Sequence, residues 1–385
     1  MSNPLPPLSL YIHTPWCIRK CPYCDFNSHQ ISKDELPEEA YLSQLVDDLK
    51  KDNSWTQNRP IQSIFIGGGT PSLLSDKFYD RLLNEISKQH RLADNIEITM
   101  EANPGAVEAS RFEGYFKAGI NRLSVGVQSF QDTQLKALGR IHSSDNAIKA
   151  VEILRNAGFS NFNIDLMHGL PDQSLKDALH DLNTAIQLAP THLSWYQLTI
   201  EPNTEFFSKP PQLPEEEILC DIIEAGQARL NEAGYKQYEV SAYAKDNQQS
   251  QHNLNYWQFG DYLAIGAGAH GKITQTNGEI FRYRKVRQPN HYLDPTRLST
   301  TAAIEPIEQD DLPLEFLMNT LRLTEGFSID LYHATTGLSP ESFIKDIEKA
   351  ISEGLLEKVG REKKEIIRPT LKGRMYLNEL LERFL

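Results

Sequence analysis

Cys17, Cys21 and Cys24 fall within eight positions of a 385-residue chain that holds only four cysteines. Their spacing is C-x3-C-x2-C, with His13 and His29 on either side. Thiolates gathered this closely bind soft metals. One reading is a tetrahedral zinc site with His13 or His29 as the fourth ligand. The other is a [4Fe-4S] cluster on three cysteines, which leaves one iron open to a further ligand. Spacing alone keeps both. The fourth cysteine, Cys220, lies in the helical pattern EEEILCDIIEAG and is expected to be a buried small hydrophobe.

A second chemical signal is IGGGTPS, residues 66–72, where Gly68, Gly69 and Thr70 let a ligand approach the backbone closely. The elements that must position these groups read as strands alternating with helices. LSLYIH, QSIFIGGG, IEITMEAN, RLSVGVQ, NFNIDLMHGLP and HLSWYQLTI are short, rich in Ile, Val, Phe and Tyr, and bounded by Gly, Pro or Asn. Amphipathic stretches separate them, such as SLKDALHDLNTAI, with Ser174 and Asp177 as a capping pair. Gly119, Gly158 and Gly234 mark helix exits. Six such units imply a parallel α/β sheet, either a barrel or a doubly wound sheet. Cys17, the glycine loop, Glu101, Gln128 and Asp165 all follow or end successive strands, which is where a barrel assembles its active site.

The α/β rhythm covers residues 1–240. Residues 241–300, which contain QHNLNYWQFGDYLAIGAGAHG, read as an irregular extension leading into a short strand, and 301–385 as a mostly helical, winged-helix-like module (a helix, a two-stranded turn around Gly360, then a terminal helix) serving protein contact or as a lid. Length favours such a large-plus-small organisation. The net charge of −13 argues against a nucleic-acid partner. FRYRKVR (281–287) is the best candidate for a local basic site, against the plainer reading of a strand with one solvated basic face. The first residues, MSNPLPPLSLYIH, lack the pattern of a secretory signal, and no apolar run is long enough to span a bilayer. A cytoplasmic location is expected, where clustered thiols point to metal or redox chemistry.

C-x3-C-x2-C after a first strand, with IGGGTPS after the second, resembles the radical S-adenosylmethionine superfamily. The resemblance implies a partial (β/α)6 barrel and a [4Fe-4S] cluster on Cys17, Cys21 and Cys24. It also implies S-adenosylmethionine on the open iron. Gly68, Gly69 and Thr70 would then meet the methionine amino group, and Glu101, Gln128, Arg140 and Asp165 the ribose and carboxylate. Tyr23 would shield the adenine, and Tyr11 matches the family's tyrosine near the cluster. YIHTPWCIRKCPYC, GGGTPS, GVQSF, LGRIH and IDLMHGLP are further similar to the branch holding oxygen-independent coproporphyrinogen III dehydrogenases and HemW-type heme chaperones. The dehydrogenases carry another cysteine two positions after the third, where this chain has Phe26, and an N-terminal extension that this chain does not show. HNLNYW (252–257) matches the chaperone signature H-N-x-x-Y-W. That likeness implies heme, with His252 as axial ligand, Tyr256 and Trp257 as flat apolar surface, and Asn253 fixing the ring. Heme-dependent respiratory enzymes are then the implied acceptors, bacterioferritin a donor, with peripheral contact to membrane complexes. The alternative is radical decarboxylation of porphyrinogen propionates.

Overall fold

The computed structural model describes residues 4–360 and 365–384. Its six expected strands form as read: β1 (Leu8–Thr14), β2 (Ile61–Gly68), β3 (Leu92–Ala102), β4 (Arg122–Gln128), β5 (Phe162–His168) and β6 (His192–Gln197). Each pairs in parallel with the next. Their apolar residues lie buried on both faces because helices cover the outer side, as parallel sheets require. Among those helices are α1 (Glu38–Lys51), α2 (Asp76–Gln89), α3 (Ser144–Asn156), α4 (Leu175–Gln187) and α5 (Glu216–Glu232). Ser174 caps α4 in a reciprocal box with Asp177, as the sequence suggests. Gly119, Gly158 and Gly234 take positive φ at helix exits.

The extension over 241–300 is not irregular. Strands β7 (Lys236–Glu239), β8 (Ala242–Ala244), β9 (Asp261–Ile265), β10 (His270–Thr274), β11 (Ile280–Lys285) and β12 (Thr301–Pro306) complete a twelve-stranded sheet in the order β12-β11-β10-β9-β1-β2-β3-β4-β5-β6-β8-β7. Strand β9 is a seventh parallel member, seated against the free edge of β1. Buried polar groups hold this half in place. Asp261 accepts from Lys272 at 3.0 Å and Arg59 at 2.7 Å, and Lys285 from FRYRKVR donates to Asp48 of α1 at 2.6 Å and to Asp52, its C-cap, at 2.7 Å. The basic strand therefore buries one lysine inside and leaves Arg284 outside. The outer strands β7 and β12 do not meet, so the barrel is partial.

The C-terminal module has its own core of Phe316, Phe327, Tyr332, Phe343, Ile347 and Ile367. It carries the expected antiparallel pair, Leu356–Val359 with Ile366–Pro369, and adds a third strand, Phe327–Ser328. Residues 361–364 of the expected turn lie outside the described residues. The terminal helix breaks in two at Tyr376. No helix among the described residues is long and apolar enough to cross a membrane.

Candidate functional site

Beyond β1 the chain makes a loop closed by a short parallel pairing of Trp16–Cys17 with His29–Gln30. Thr70 donates to the Cys17 sulfur at 3.2 Å, and Arg140 to the Cys21 sulfur at 3.7 Å. Asn27 stitches the loop to the distant half of the sheet, donating to the Ala267 carbonyl at 3.0 Å and the Arg287 carbonyl at 2.9 Å. His13 has both ring nitrogens engaged, one with the Tyr11 hydroxyl at 2.7 Å and one with the Asn27 carbonyl at 2.9 Å. His29 bonds the Asn27 side chain at 3.3 Å. The zinc reading thus loses both its histidines. No three metal-binding side chains among the described residues close around a single ion. The residues present fit a cluster instead: three cysteines in one loop, beside the half-buried Arg140, whose buried Nε has no partner. Burial pushes the Cys17 and Cys24 thiols up, a shift that metal ligation reverses.

Cys21 and Cys24 open onto a cavity of about 570 Å³ over the C-terminal ends of the strands. Tyr23, Gly68, Gly69, Thr70, Glu101, Gln128, Arg140 and Asp165 line the same space, so the structure brings together most of the residues singled out from sequence. Tyr11 is not among them. It stands behind the glycine loop on His13. A larger hollow of about 670 Å³ between α1 and α2 is lined mainly by charged helix faces and gathers no comparable set.

Local strain aims several of these groups. Gln128 has φ of +72° at a register shift against β5, a costly conformation for glutamine, and its side chain accepts from Tyr196 at 2.8 Å. Gly68 has φ of +111°, and a Cβ there would strike the His13 ring at 2.5 Å. Gly68 thus lets the loop pack on His13. Glu101 accepts the Gly68 N–H at 3.1 Å. Burial, then the neighbouring Asp165, pushes Glu101 up to about 8. Asp165 is raised by burial, opposed by hydrogen bonds from Ser124, Ser194 and Asn163. Five carboxylates, Asp25, Glu101, Asp165, Glu201 and Glu239, line the cavity against one cation, Arg140.

Sequence reading missed Asn103, Ser124, Tyr196 and Glu239, all in the cavity wall. Ser124 and Tyr196 sit on strands already assigned, and the strand-end rule would have found Tyr196.

HNLNYW forms a short helix, α6 (Gln251–Trp257), laid against the barrel wall. His252 is 4% exposed, with its ring stacked on Phe65 at 4.2 Å and its Nδ1 2.8 Å from Glu97. It is not an open axial position, contrary to the sequence expectation: iron could reach it only if the helix left the wall. The residues of the motif that do reach the cavity are Asn253 and Trp257.

The family model described as Radical SAM superfamily matches residues 11–183, and that described as HemN C-terminal domain matches 307–376. The protein named "Heme chaperone HemW" from Escherichia coli is 51% identical over 381 residues, covering 99% of both chains. Its namesake from Haemophilus influenzae is 52% identical over 385 residues, covering 99% of this chain and 98% of that one. Among solved structures, the coproporphyrinogen III oxidase HemN of Escherichia coli superposes with a TM-score of 0.81 at 21% identity, covering 99% of this chain and 90% of that one. At that identity the likeness establishes the fold.

Proposed function

Because the chain belongs to the HemW heme-chaperone family of the radical S-adenosylmethionine superfamily, we propose that it is a heme carrier that receives heme and passes it to an acceptor protein. The observation that carries this reading over porphyrinogen decarboxylation is the charge of the cavity. Coproporphyrinogen bears four propionates, and the cavity offers them a single cation, Arg140, among five acidic side chains of which burial holds Glu101, Asp165 and Glu239 towards the neutral form. The same lining suits the sulfonium and ammonium of S-adenosylmethionine.

In this reading Cys17, Cys21 and Cys24 hold the [4Fe-4S] cluster. When bound, the cluster supplies an open iron and a single electron to the cofactor's sulfonium. The chain's own residues bind and orient. Gly69 and Thr70 present backbone to the methionine end, with Gly68 shaping the loop. Glu101 meets the ligand's positive charge, Arg140 its carboxylate, and Gln128 and Asp165 its ribose. Tyr23 covers the adenine, and Tyr11 supports the cluster through His13. The acceptors are heme-dependent respiratory enzymes, met by peripheral contact at the membrane, with bacterioferritin as a donor. A reducing cytoplasmic setting agrees with four unpaired cysteines, Cys220 exposed among them.

Under strictly anaerobic conditions the reconstituted protein should bind hemin stoichiometrically and leave coproporphyrinogen unconverted. Accumulation of decarboxylated porphyrinogen with 5′-deoxyadenosine would replace this reading with the enzymatic one. The Glu101 assignment has its own test. A ligand cation binds the ionised carboxylate, so affinity for S-adenosylmethionine should fall as pH drops through about 8. The loss should approach tenfold per pH unit below that point. Calorimetric titrations between pH 6 and 9 measure it, and a flat profile would take Glu101 away from the ligand's charge.

A further inference from the structure

Asn103 follows β3 by one residue and stands in the cavity wall with Arg140 and Thr70. Its Oδ1 accepts from Arg140 Nη2 at 2.7 Å, and its Nδ2 donates to the Thr70 hydroxyl at 3.3 Å. Thr70 in turn donates to the Cys17 sulfur at 3.2 Å, and Arg140 Nη1 to the Cys21 sulfur at 3.7 Å. One unbroken run of side chains thus joins two of the three loop sulfurs. Cys24 stands outside it, with the Ser28 hydroxyl 4.0 Å away.

The polarity of the run follows from its one charged member. A guanidinium only donates, so the amide turns its oxygen to Arg140 and its NH2 to Thr70. A hydroxyl that accepts from Asn103 keeps its own proton for the sulfur. Every link therefore donates away from the cation, the arrangement in which successive hydrogen bonds polarise one another. The backbone fixes the middle of the run, because the Asn103 N–H donates to the Ser72 hydroxyl at 3.2 Å and Pro104 follows. Arg140 Nη2 also donates to the Gly126 carbonyl at 2.7 Å, while Nε has no partner and remains for a ligand carboxylate.

We propose that Asn103 is a positioning residue for the cluster: it relays the charge of Arg140 through Thr70 to the Cys17 sulfur and so raises the cluster's reduction potential. This rests on the reading that Cys17, Cys21 and Cys24 hold a [4Fe-4S] cluster, and deepens it with a residue outside the cysteine loop. One electron from an external low-potential donor makes the site more negative by one charge, and no bond in these side chains forms or breaks. Hydrogen bonds and positive charge at the ligand sulfurs stabilise that more negative form.

The test uses the full-length chain reconstituted anaerobically and titrated with dithionite in mediator dyes, with the reduced cluster read by electron paramagnetic resonance. Thr70→Val removes the hydroxyl and keeps the shape. It should shift the equilibrium about tenfold towards the oxidised cluster, which is about 59 mV for one electron. Thr70→Ser should restore the wild-type value. Asn103→Ala should keep the iron and sulfide content of the wild type and shift the equilibrium about threefold in the same direction. Combined with Thr70→Val it should add nothing, because Asn103 acts through that hydroxyl. A wild-type potential in Asn103→Ala would overturn the relay, as would a further fall when the two changes are combined. If Asn103→Ala assembles no cluster, the Thr70 variants decide: a potential restored by serine supports the relay, and equal potentials for valine and serine overturn it. If the unmodified chain holds no cluster, the cluster reading falls and the relay with it, whereas a normal cluster with an insensitive potential removes the relay alone.

Discussion

Serine in place of Cys17, Cys21 or Cys24, singly, removes the broad visible absorbance of the reconstituted cluster and brings bound iron to background. Each loss is complete because the loop holds no spare thiol, and His13 and His29 are committed to Tyr11 and Asn27. A loop that loses one of three ligands keeps too few to close the site. Cys220→Ser should retain full iron content. That cysteine is exposed on α5, whose buried positions are Ile222, Gly226 and Leu230. Iron quantified beside sulfide after anaerobic reconstitution decides the matter. Loss of the cluster in Cys220→Ser would mean that a fourth protein thiol is involved and that no iron is left open.

The second large effect is expected at Glu97, which no motif marks. Its carboxylate accepts the backbone N–H groups of Gln251 at 3.1 Å and His252 at 3.3 Å, and the His252 ring at 2.8 Å. Arg122, itself 2% exposed, stands 4.0 Å away with its Nε unpartnered. Burial alone would raise Glu97, but the His252 hydrogen bond and charge, with Arg122, hold it at about 2. A folded value below the unfolded one stabilises above pH ~4.5, and the contribution is lost as pH falls towards 2. Glu97→Ala strands a buried arginine and frees the start of α6, and should cost about 3–5 kcal/mol. Denaturant unfolding of the variant measures it. His252→Ala should likewise destabilise, because it removes the ring from Glu97 and Phe65. A destabilisation below about 1 kcal/mol in Glu97→Ala would show that α6 is held by other contacts.

Much of the half that holds the cavity was legible because parallel strands buried on both faces are continuous apolar runs, and because their C-terminal ends share one rim. Glu101, Gln128, Arg140 and Asp165 therefore meet in the cavity as their positions suggested. What failed was the facing of helices. Cys220 precedes the buried Ile222 by two residues, or about 200° around the helix, so it turns outward. In α6 the residues His252 and Asn255 turn inward, and Asn253 and Trp257 turn to the cavity. A six-residue motif cannot show which side meets the wall. The FRYRKVR strand was legible, but the sheet it joins and the place of β9 in it were missed for another reason. DYLAI is five residues between glycine-rich turns, and its partner β1 lies some 250 positions earlier, which no local pattern reports.

That long-range pairing also sets an order of events. The cysteines are made first, yet their strand is completed only when β9 lies beside it, and their loop is fixed only when Asn27 meets Ala267 and Arg287. A nascent chain leaving the ribosome with its first 250 residues carries three thiols in an unpinned loop, exposed to oxidation and to adventitious metals. Contacts this far apart in sequence form late, after the entropy of closing the intervening chain has been met. The loop thus gains its last anchor only when about three-quarters of the chain, up to Arg287, has been made, and its final shape is a product of the finished sheet.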